Sequence, residues 1–176
     1  EEQAVAMASG LAKGGANPLI ITNTTFMQRA YDQLSQDLCI NGNAVTILLN
    51  YANFDGLTDV THLGIFGIST FSNIPNLTVL APSNRAELVS MLDWSLDKAN
   101  RPVIILMPGN AVTDGATRQP YDPTKYNVTQ HGEKVAVIAL GDFYAKGQSL
   151  AEYIKKSFGF TPTLADARNA STIDAA

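Results

Sequence analysis

The sequence is poor in cysteine, with Cys39 as the single one among 176 residues. One cysteine excludes an internal disulfide and cannot build a zinc site alone. A reduced thiol packed on a helix is expected, as in a cytosolic protein. We therefore expect a cytoplasmic location.

Long apolar runs, a leader pattern and clustered basic residues are also missing. No apolar run approaches the ~18 residues needed to cross a membrane, and no basic start precedes an apolar stretch as in a signal peptide. The 12 Lys and Arg are outnumbered by 16 Asp and Glu, and they are scattered singly. Nucleic-acid binding normally uses a clustered basic face. Neither a membrane nor a nucleic acid is therefore an expected partner.

The sequence does contain short runs of apolar, β-branched residues. Because these runs are apolar at consecutive rather than alternating positions, they predict strands buried on both faces of a parallel sheet. The runs are Leu19-Ile20-Ile21, Val45-Thr46-Ile47-Leu48-Leu49, Leu77-Thr78-Val79-Leu80, Val103-Ile104-Ile105-Leu106 and Val135-Ala136-Val137-Ile138-Ala139-Leu140.

Helical patterns lie between several of these runs, at 26–39, 84–98 and 147–158. Asn84 followed by Glu87 suits an N-cap with its capping box. Alternation of strands and helices predicts an α/β fold with right-handed crossovers. The apolar faces of the three helices comprise Ala30, Leu34 and Leu38, then Leu88, Met91, Leu92 and Leu96, then Leu150, Ile154 and Phe158.

The pattern breaks at 111–130, where Gly115, Pro120 and Pro123 stand among polar residues. Glycine and proline in such company indicate a linker. We therefore expect one nearly complete domain over 1–110 and the opening of a second α/β domain over 131–176.

Both ends look cut, so a fragment or one section of a divided enzyme is expected. Charges at Lys155, Lys156 and Asp166 are expected to be solvated surface, and His131 is given no role.

The segment 50–75 separates two predicted strands without a convincing helical stripe. Long loops inside compact α/β domains are usually functional, and ligands gather where the strands of such sheets end. The loop holds one of only two histidines, His62.

Four stretches of the sequence resemble the pyrimidine-binding domain of transketolases, and especially of 1-deoxy-D-xylulose-5-phosphate synthases. Their order and spacing match over most of 1–110, and the second stretch is long and specific. Residues 131–176 resemble the start of the family's C-terminal domain. The stretches are Glu1-Glu2-Gln3-Ala4-Val5 leading to Ala8-Ser9-Gly10-Leu11-Ala12; Thr24-Thr25-Phe26-Met27-Gln28-Arg29-Ala30-Tyr31-Asp32-Gln33; Thr61-His62-Leu63-Gly64; and Ile74-Pro75-Asn76-Leu77 with Ala81-Pro82.

The resemblance implies a thiamine-diphosphate enzyme. In this family a glutamate hydrogen-bonds N1′ of the cofactor pyrimidine, and alignment to Gly10 places it at Glu1, with Glu2 as the fallback. Phe26 matches the aromatic that stacks on the pyrimidine, although composition alone favours a core phenylalanine.

Two further residues match positions on the substrate side of the family's site. Arg29 resembles a substrate-binding residue, with a solvated arginine or a pair with Asp32 as the alternative. His62 resembles a loop histidine that contacts the bound intermediate and moves protons, although a lone histidine is more often structural.

Several phosphate-binding positions of the relatives look changed here. Tyr51 and Leu106 fall where arginines are usual, Asn23 replaces a tyrosine, and Gly67 stands where an aspartate follows phenylalanine. Arginine binds phosphate through two parallel hydrogen bonds, and neither tyrosine nor leucine can form that contact. We therefore expect weak or absent activity with glyceraldehyde 3-phosphate.

The family holds Mg²⁺ on a Gly-Asp-Gly motif in a separate domain, and no such stretch occurs here. The resemblance thus implies a homodimer-forming enzyme that uses a small-molecule ketose or 2-oxo acid donor and needs a diphosphate-binding domain absent from this chain. No metal ligand is assigned within the chain. A 2-oxo-acid dehydrogenase β subunit shares the architecture. The alternative is a paralogue that has lost catalysis and serves as a dimerisation or ligand-binding module.

Overall fold

The computed structural model describes residues 1–50, 52, 61–108, 112–116 and 121–174, and these form an α/β fold with two sheets. The first sheet is wholly parallel, with strand order β1-β2-β4-β3. Its strands are β1 (Leu19–Asn23), β2 (Thr46–Asn50), β3 (Thr78–Leu80) and β4 (Val103–Leu106). The predicted parallel α/β fold is confirmed.

The helices of the first unit surround this sheet. Between β1 and β2 the chain is helical from Thr24 to Ile40, and this stretch changes its winding several times. The helices are α1 (Glu2–Lys13), α2 (Thr24–Met27), a 3₁₀ turn (Gln28–Ala30), α3 (Tyr31–Gln33), a π-helical stretch (Leu34–Ile40), α4 (Gly67–Phe71) and α5 (Arg85–Asp97). The helix α4 was not predicted, because five residues are too few to show a periodic stripe.

The core lies between the helices and the central strands. All four residues of β4 are buried, as predicted. The predicted inner face of the segment after β1 is confirmed, since Ala30, Leu34 and Leu38 are fully buried. Cys39 lies on the same stretch, and burial raises the pKa of its thiol to about 11, which keeps it protonated.

The edge strand β1 departs from the prediction of burial on both faces. Leu19 and Ile21 are 43% and 60% exposed, because their face carries no covering helix among the described residues. Ile138 in the second sheet is exposed for the same reason. Consecutive apolar residues identified these strands correctly but did not reveal which faces are covered.

The second sheet has the order β5-β7-β6, with β5 antiparallel and β6 parallel to the central β7. Its elements are β5 (Asn127–Gln130), β6 (Ala136–Ala139), α6 (Phe143–Phe158) and β7 (Thr163–Asp166). The strand β5 lies inside the segment 111–130 that was expected to be a linker. The division at 1–110 and 131–176 stays a prediction.

The helix α6 presents a different face to its sheet from the one predicted. Leu150 and Phe158 are exposed, whereas Gly147 and Ala151 are buried. A Cβ atom at Gly147 would lie only 3.0 Å from Cβ of Ala139. The helix therefore approaches the sheet through its small residues, and this close approach overrides the larger apolar stripe.

Residues 167–171 join the two units by extending along the outer edge of β3. The amide of Ala81 donates to the carbonyl of Arg168, and the amide of Ala170 donates to the carbonyl of Val79. An isolated bridge also pairs Leu80 with Asn169. The unpaired edge that β3 would otherwise present is thereby covered.

A buried polar cluster lies at this junction. Nη2 of Arg168 lies 2.7 Å from Oε1 of Glu87, and both side chains are at most 4% exposed. The Arg168 guanidinium also lies 5.1 Å from the centre of the Tyr121 ring. The N-cap prediction for α5 is confirmed, since Oδ1 of Asn84 accepts from the amide of Glu87. The Glu87 carboxylate, however, binds Arg168 across the junction.

Asp166 belongs to the same cluster, so the expectation that it is solvated surface is wrong. It is 1% exposed, and its carboxylate accepts hydrogen bonds from Ser83 Oγ and the amide of Arg168. Burial is the main cause that raises its pKa from 3.8 to about 6, and the charge of Glu87 raises it further, while the hydrogen bonds and the Arg168 charge lower it.

The raised pKa of Asp166 predicts a stability that falls as pH rises. Between about pH 4 and pH 6 the folded chain holds a proton at Asp166 that the unfolded chain has lost, so unfolding becomes easier as pH increases. The effect amounts to about 3 kcal/mol across that window. We expect Asp166→Asn to remove this part of the slope when urea unfolding is followed at pH 4.5, 6.0 and 7.5. Parallel pH profiles for the two proteins would contradict the prediction.

Candidate functional site

The carboxyl ends of β1, β2 and β4 meet at one edge of the first sheet, where α/β folds bind ligands. Two of these strands are followed by segments singled out in the sequence: Thr24 onward after β1 and the segment that contains His62 after β2. Met107 and Pro108 follow β4. Oγ1 of the buried Thr24 donates to the carbonyl of Asn50 at 2.7 Å. This bond ties the ends of β1 and β2 together.

Phe26 and His62 come into direct contact at this edge. Their ring centres are 5.1 Å apart with an interplanar angle of 86°, which is the favoured edge-to-face arrangement. Phe26 is half-buried and so is not part of the closed core. Oγ1 of Thr61 lies 2.7 Å from Nδ1 of His62. That hydrogen bond orients the imidazole. Which of the two atoms donates depends on the tautomer of His62.

Glu1 and Arg29 complete the cluster. Nε of Arg29 lies 3.6 Å from Oε2 of Glu1, with the two side chains 59% and 23% exposed. The guanidinium carbon of Arg29 is also 5.9 Å from the centre of the Phe26 ring, at the outer limit of a cation–π contact. The structure thus brings Glu1, Arg29, Phe26 and His62 into one continuous set of contacts.

The fallback Glu2 differs from Glu1 in its surroundings. Its side chain is 51% exposed and contacts the amino group of residue 1. Glu1 instead forms an ion pair with Arg29, which contacts Phe26. The choice of Glu1 over Glu2 stays a prediction.

Gly67 and Leu106, two of the positions where the resemblance implies a lost phosphate contact, lie near Thr24. A Cβ atom at Gly67 would lie 2.7 Å from Cγ2 of Thr24 and 3.7 Å from Cδ2 of Leu106. A side chain at position 67 therefore could not be added without moving Thr24. Asn23 caps α2 without a side-chain hydrogen bond. Tyr51 lies outside the described residues.

Sequence reasoning missed two parts of this site. Thr61 was quoted within a motif but not recognised as the residue that orients His62, and only its position immediately before the histidine could have suggested it. The bond from Thr24 to Asn50 depends on strand adjacency and leaves no sequence signal.

Among the described residues, no group of three or more His, Cys, Asp or Glu side chains could hold a metal ion. The described helices include none that is both long and apolar enough to span a membrane.

A carboxylate, an aromatic ring, an imidazole and a guanidinium are groups typical of small-molecule sites, and in α/β folds such sites lie at the carboxyl ends of parallel strands. The family described as "Transketolase, pyrimidine binding domain" matches residues 1–114. The chain belongs to this transketolase family.

The relatives and the structural neighbour agree with that assignment. The chain is 35% identical over 177 residues to 1-deoxy-D-xylulose-5-phosphate synthase of Natranaerobius thermophilus, covering 99% of this chain and 28% of that protein. It is also 35% identical over 159 residues to the synthase of Clostridium acetobutylicum, covering 89% and 26%. The chain therefore spans about a quarter of the length of these relatives. A split-gene transketolase, described as an inactive β4 tetramer, shares the fold with a TM-score of 0.80 at 21% identity, covering 93% of this chain and 53% of that one.

Proposed function

We propose that this chain is part of a thiamine-diphosphate-dependent transferase of the transketolase or 1-deoxy-D-xylulose-5-phosphate synthase type. It activates the aminopyrimidine of the cofactor for ketol transfer or acyloin condensation from a ketose or 2-oxo acid donor. The observation that carries the proposal is the contact of Glu1, Arg29, Phe26 and His62 in a chain of this family.

The residues present fit an aminopyrimidine. The Glu1 carboxylate is partly exposed at 23% and can accept a hydrogen bond from a protonated ring nitrogen. Phe26 is half-buried, so part of its ring is accessible for stacking on a planar heterocycle. In the proposed complex Glu1 holds the proton at N1′ and Phe26 packs against the pyrimidine. Bound thiamine diphosphate supplies the electron sink for breaking and forming carbon–carbon bonds.

His62 and Arg29 are assigned to the substrate side. An imidazole held by Thr61 can donate or accept a proton in catalysis, and its contact with Phe26 supports a role beside the proposed pyrimidine. Arg29 supplies an exposed guanidinium that pairs with Glu1. It can hold the donor's carboxylate or carbonyl oxygen.

The proposal requires a second polypeptide region for the diphosphate. Mg²⁺ and the diphosphate are held by a domain absent from these residues, supplied by the same gene or by a partner subunit. A homodimer and a cytoplasmic location are part of the proposal. The chain alone neither binds the cofactor tightly nor catalyses.

Calorimetric titration of Mg²⁺ and thiamine diphosphate into the complete enzyme tests the proposed function. We expect saturable binding to the complete enzyme and none to this chain titrated as a control. Absence of binding by the complete enzyme would reject the proposal and favour the module that has lost catalysis.

A further inference from the structure

A cavity of about 110 Å³ lies beside the candidate site, where the two units meet. Its walls come from the end of β4 and the residues after it, from α4, and from the start of α6. The lining residues are Ala52, Ile65, Ile68, Ala81, Leu106, Met107, Pro108, Leu140, Gly141, Asp142 and Phe143.

The side chains that line the cavity are mostly apolar. Among these described residues Asp142 alone carries a charge, and an ionised carboxylate offers acceptors but no donor. The described part of the lining includes no Lys or Arg that could neutralise a phosphate. The donors it offers are backbone amides at the start of α6, and phosphate recognition usually adds guanidinium or ammonium groups. The lining side chains therefore suit a hydrocarbon group better than a phosphate.

The cavity lies near the residues that carry the candidate site. A Cβ atom at Gly67 would lie 3.7 Å from Leu106, which lines the cavity, and 2.7 Å from Thr24, two residues before Phe26. Ile65 lies three residues after His62 and also lines the cavity. A small molecule whose reacting carbon is near His62 and Phe26 could therefore extend its far end toward this cavity.

We infer that the cavity binds an aliphatic tail of the substrate, so that the acceptor is an unphosphorylated aliphatic aldehyde or ketone. This inference rests on the proposed function and names its substrate class. An apolar cavity of ~150 Å³ holds benzene, so the smaller cavity here admits a tail of about three to five carbons.

The first test measures acceptor selectivity in the complete enzyme, with pyruvate as the donor. We expect a higher kcat/KM for 2-methylpropanal than for glyceraldehyde 3-phosphate. Ile68→Asn should lower kcat/KM for 2-methylpropanal about tenfold. The substitution should be tolerated, because Ile68 is 43% exposed. Val89→Asn, at an exposed position of α5 outside the cavity, should change it less than twofold. Preference for the phosphorylated acceptor, or equal effects of the two variants, would overturn the inference.

The second test uses binding alone and so separates this inference from the proposed function. In the complete enzyme labelled at Ile, Leu and Met methyl groups, 2-methylpropanol should shift the methyl signals of Ile65, Ile68, Leu106 and Met107 with saturation, whether or not thiamine diphosphate binds. Inorganic phosphate should leave them unchanged. Displacement of the alcohol by phosphate, with amide shifts in the first turn of α6, would show an anion site there and overturn the inference.

Discussion

Replacing Glu1 by Gln in the complete enzyme is expected to lower kcat by about 10²–10⁴-fold, the usual contribution of a positioned acid–base group. Glutamine keeps the shape of the side chain and an acceptor oxygen, but it lacks the negative charge that stabilises a proton on the pyrimidine nitrogen. Steady-state and single-turnover rates measure the loss. Calorimetry on the same variant shows whether thiamine diphosphate still binds.

Glu2→Gln is the matched control for this prediction. Glu2 has the same chemistry one residue away, yet its side chain is more exposed, and the ion pair with Arg29 is made by Glu1. Its substitution should leave kcat within about twofold, as expected for a surface carboxylate. If Glu2→Gln abolishes turnover and Glu1→Gln does not, the assignment of Glu1 is wrong and the fallback replaces it.

Arg168→Met is expected to destabilise the chain by about 3–5 kcal/mol. The substitution leaves the fully buried Glu87 carboxylate without its 2.7 Å partner. The backbone contributes little to the difference, because Arg168 has φ of 60° and arginine and methionine meet the same steric limits there. Urea unfolding of the two proteins measures the loss of free energy.

Two further variants show whether the burial of the ion pair causes the loss of stability. Arg85→Met removes an exposed ion pair with Asp114, and its cost should stay below about 1 kcal/mol. The double variant Glu87→Met with Arg168→Met should regain much of the loss, because it removes both buried charges. Equal costs for Arg85→Met and Arg168→Met would contradict the role given to the buried pair.

The first sheet was predictable because its strands are short, apolar and separated by helices. All five apolar runs became strands, since runs such as 103–106 can be buried only between covering layers. The strand β5 was missed, and β7 was expected only as a strand of unstated bounds after α6, because 127–130 and 163–166 mix polar and apolar residues. Asp166 was misjudged for a related reason: its burial depends on Ser83 and Arg168, far apart in the sequence.

Less of the candidate site could be predicted from the residues alone. Only the resemblance to the family pointed to Glu1 and Phe26, because a glutamate before a helix and a phenylalanine in its first turn are ordinary features. The loop length drew attention to His62, but its contact with Phe26 and its bond to Thr61 required the fold. The apolar cavity could not be predicted, since its walls come from both units.

The segment that covers the edge of β3 also bears on how the chain reaches its fold. The amide of Val79 donates to Oγ of Ser171, 92 residues later in the chain. Closing so long a loop costs entropy before any contact compensates it, and such contacts slow folding. During synthesis the amino end of the chain emerges first. The edge of β3 therefore stays unpaired until the residues near 170 have left the ribosome.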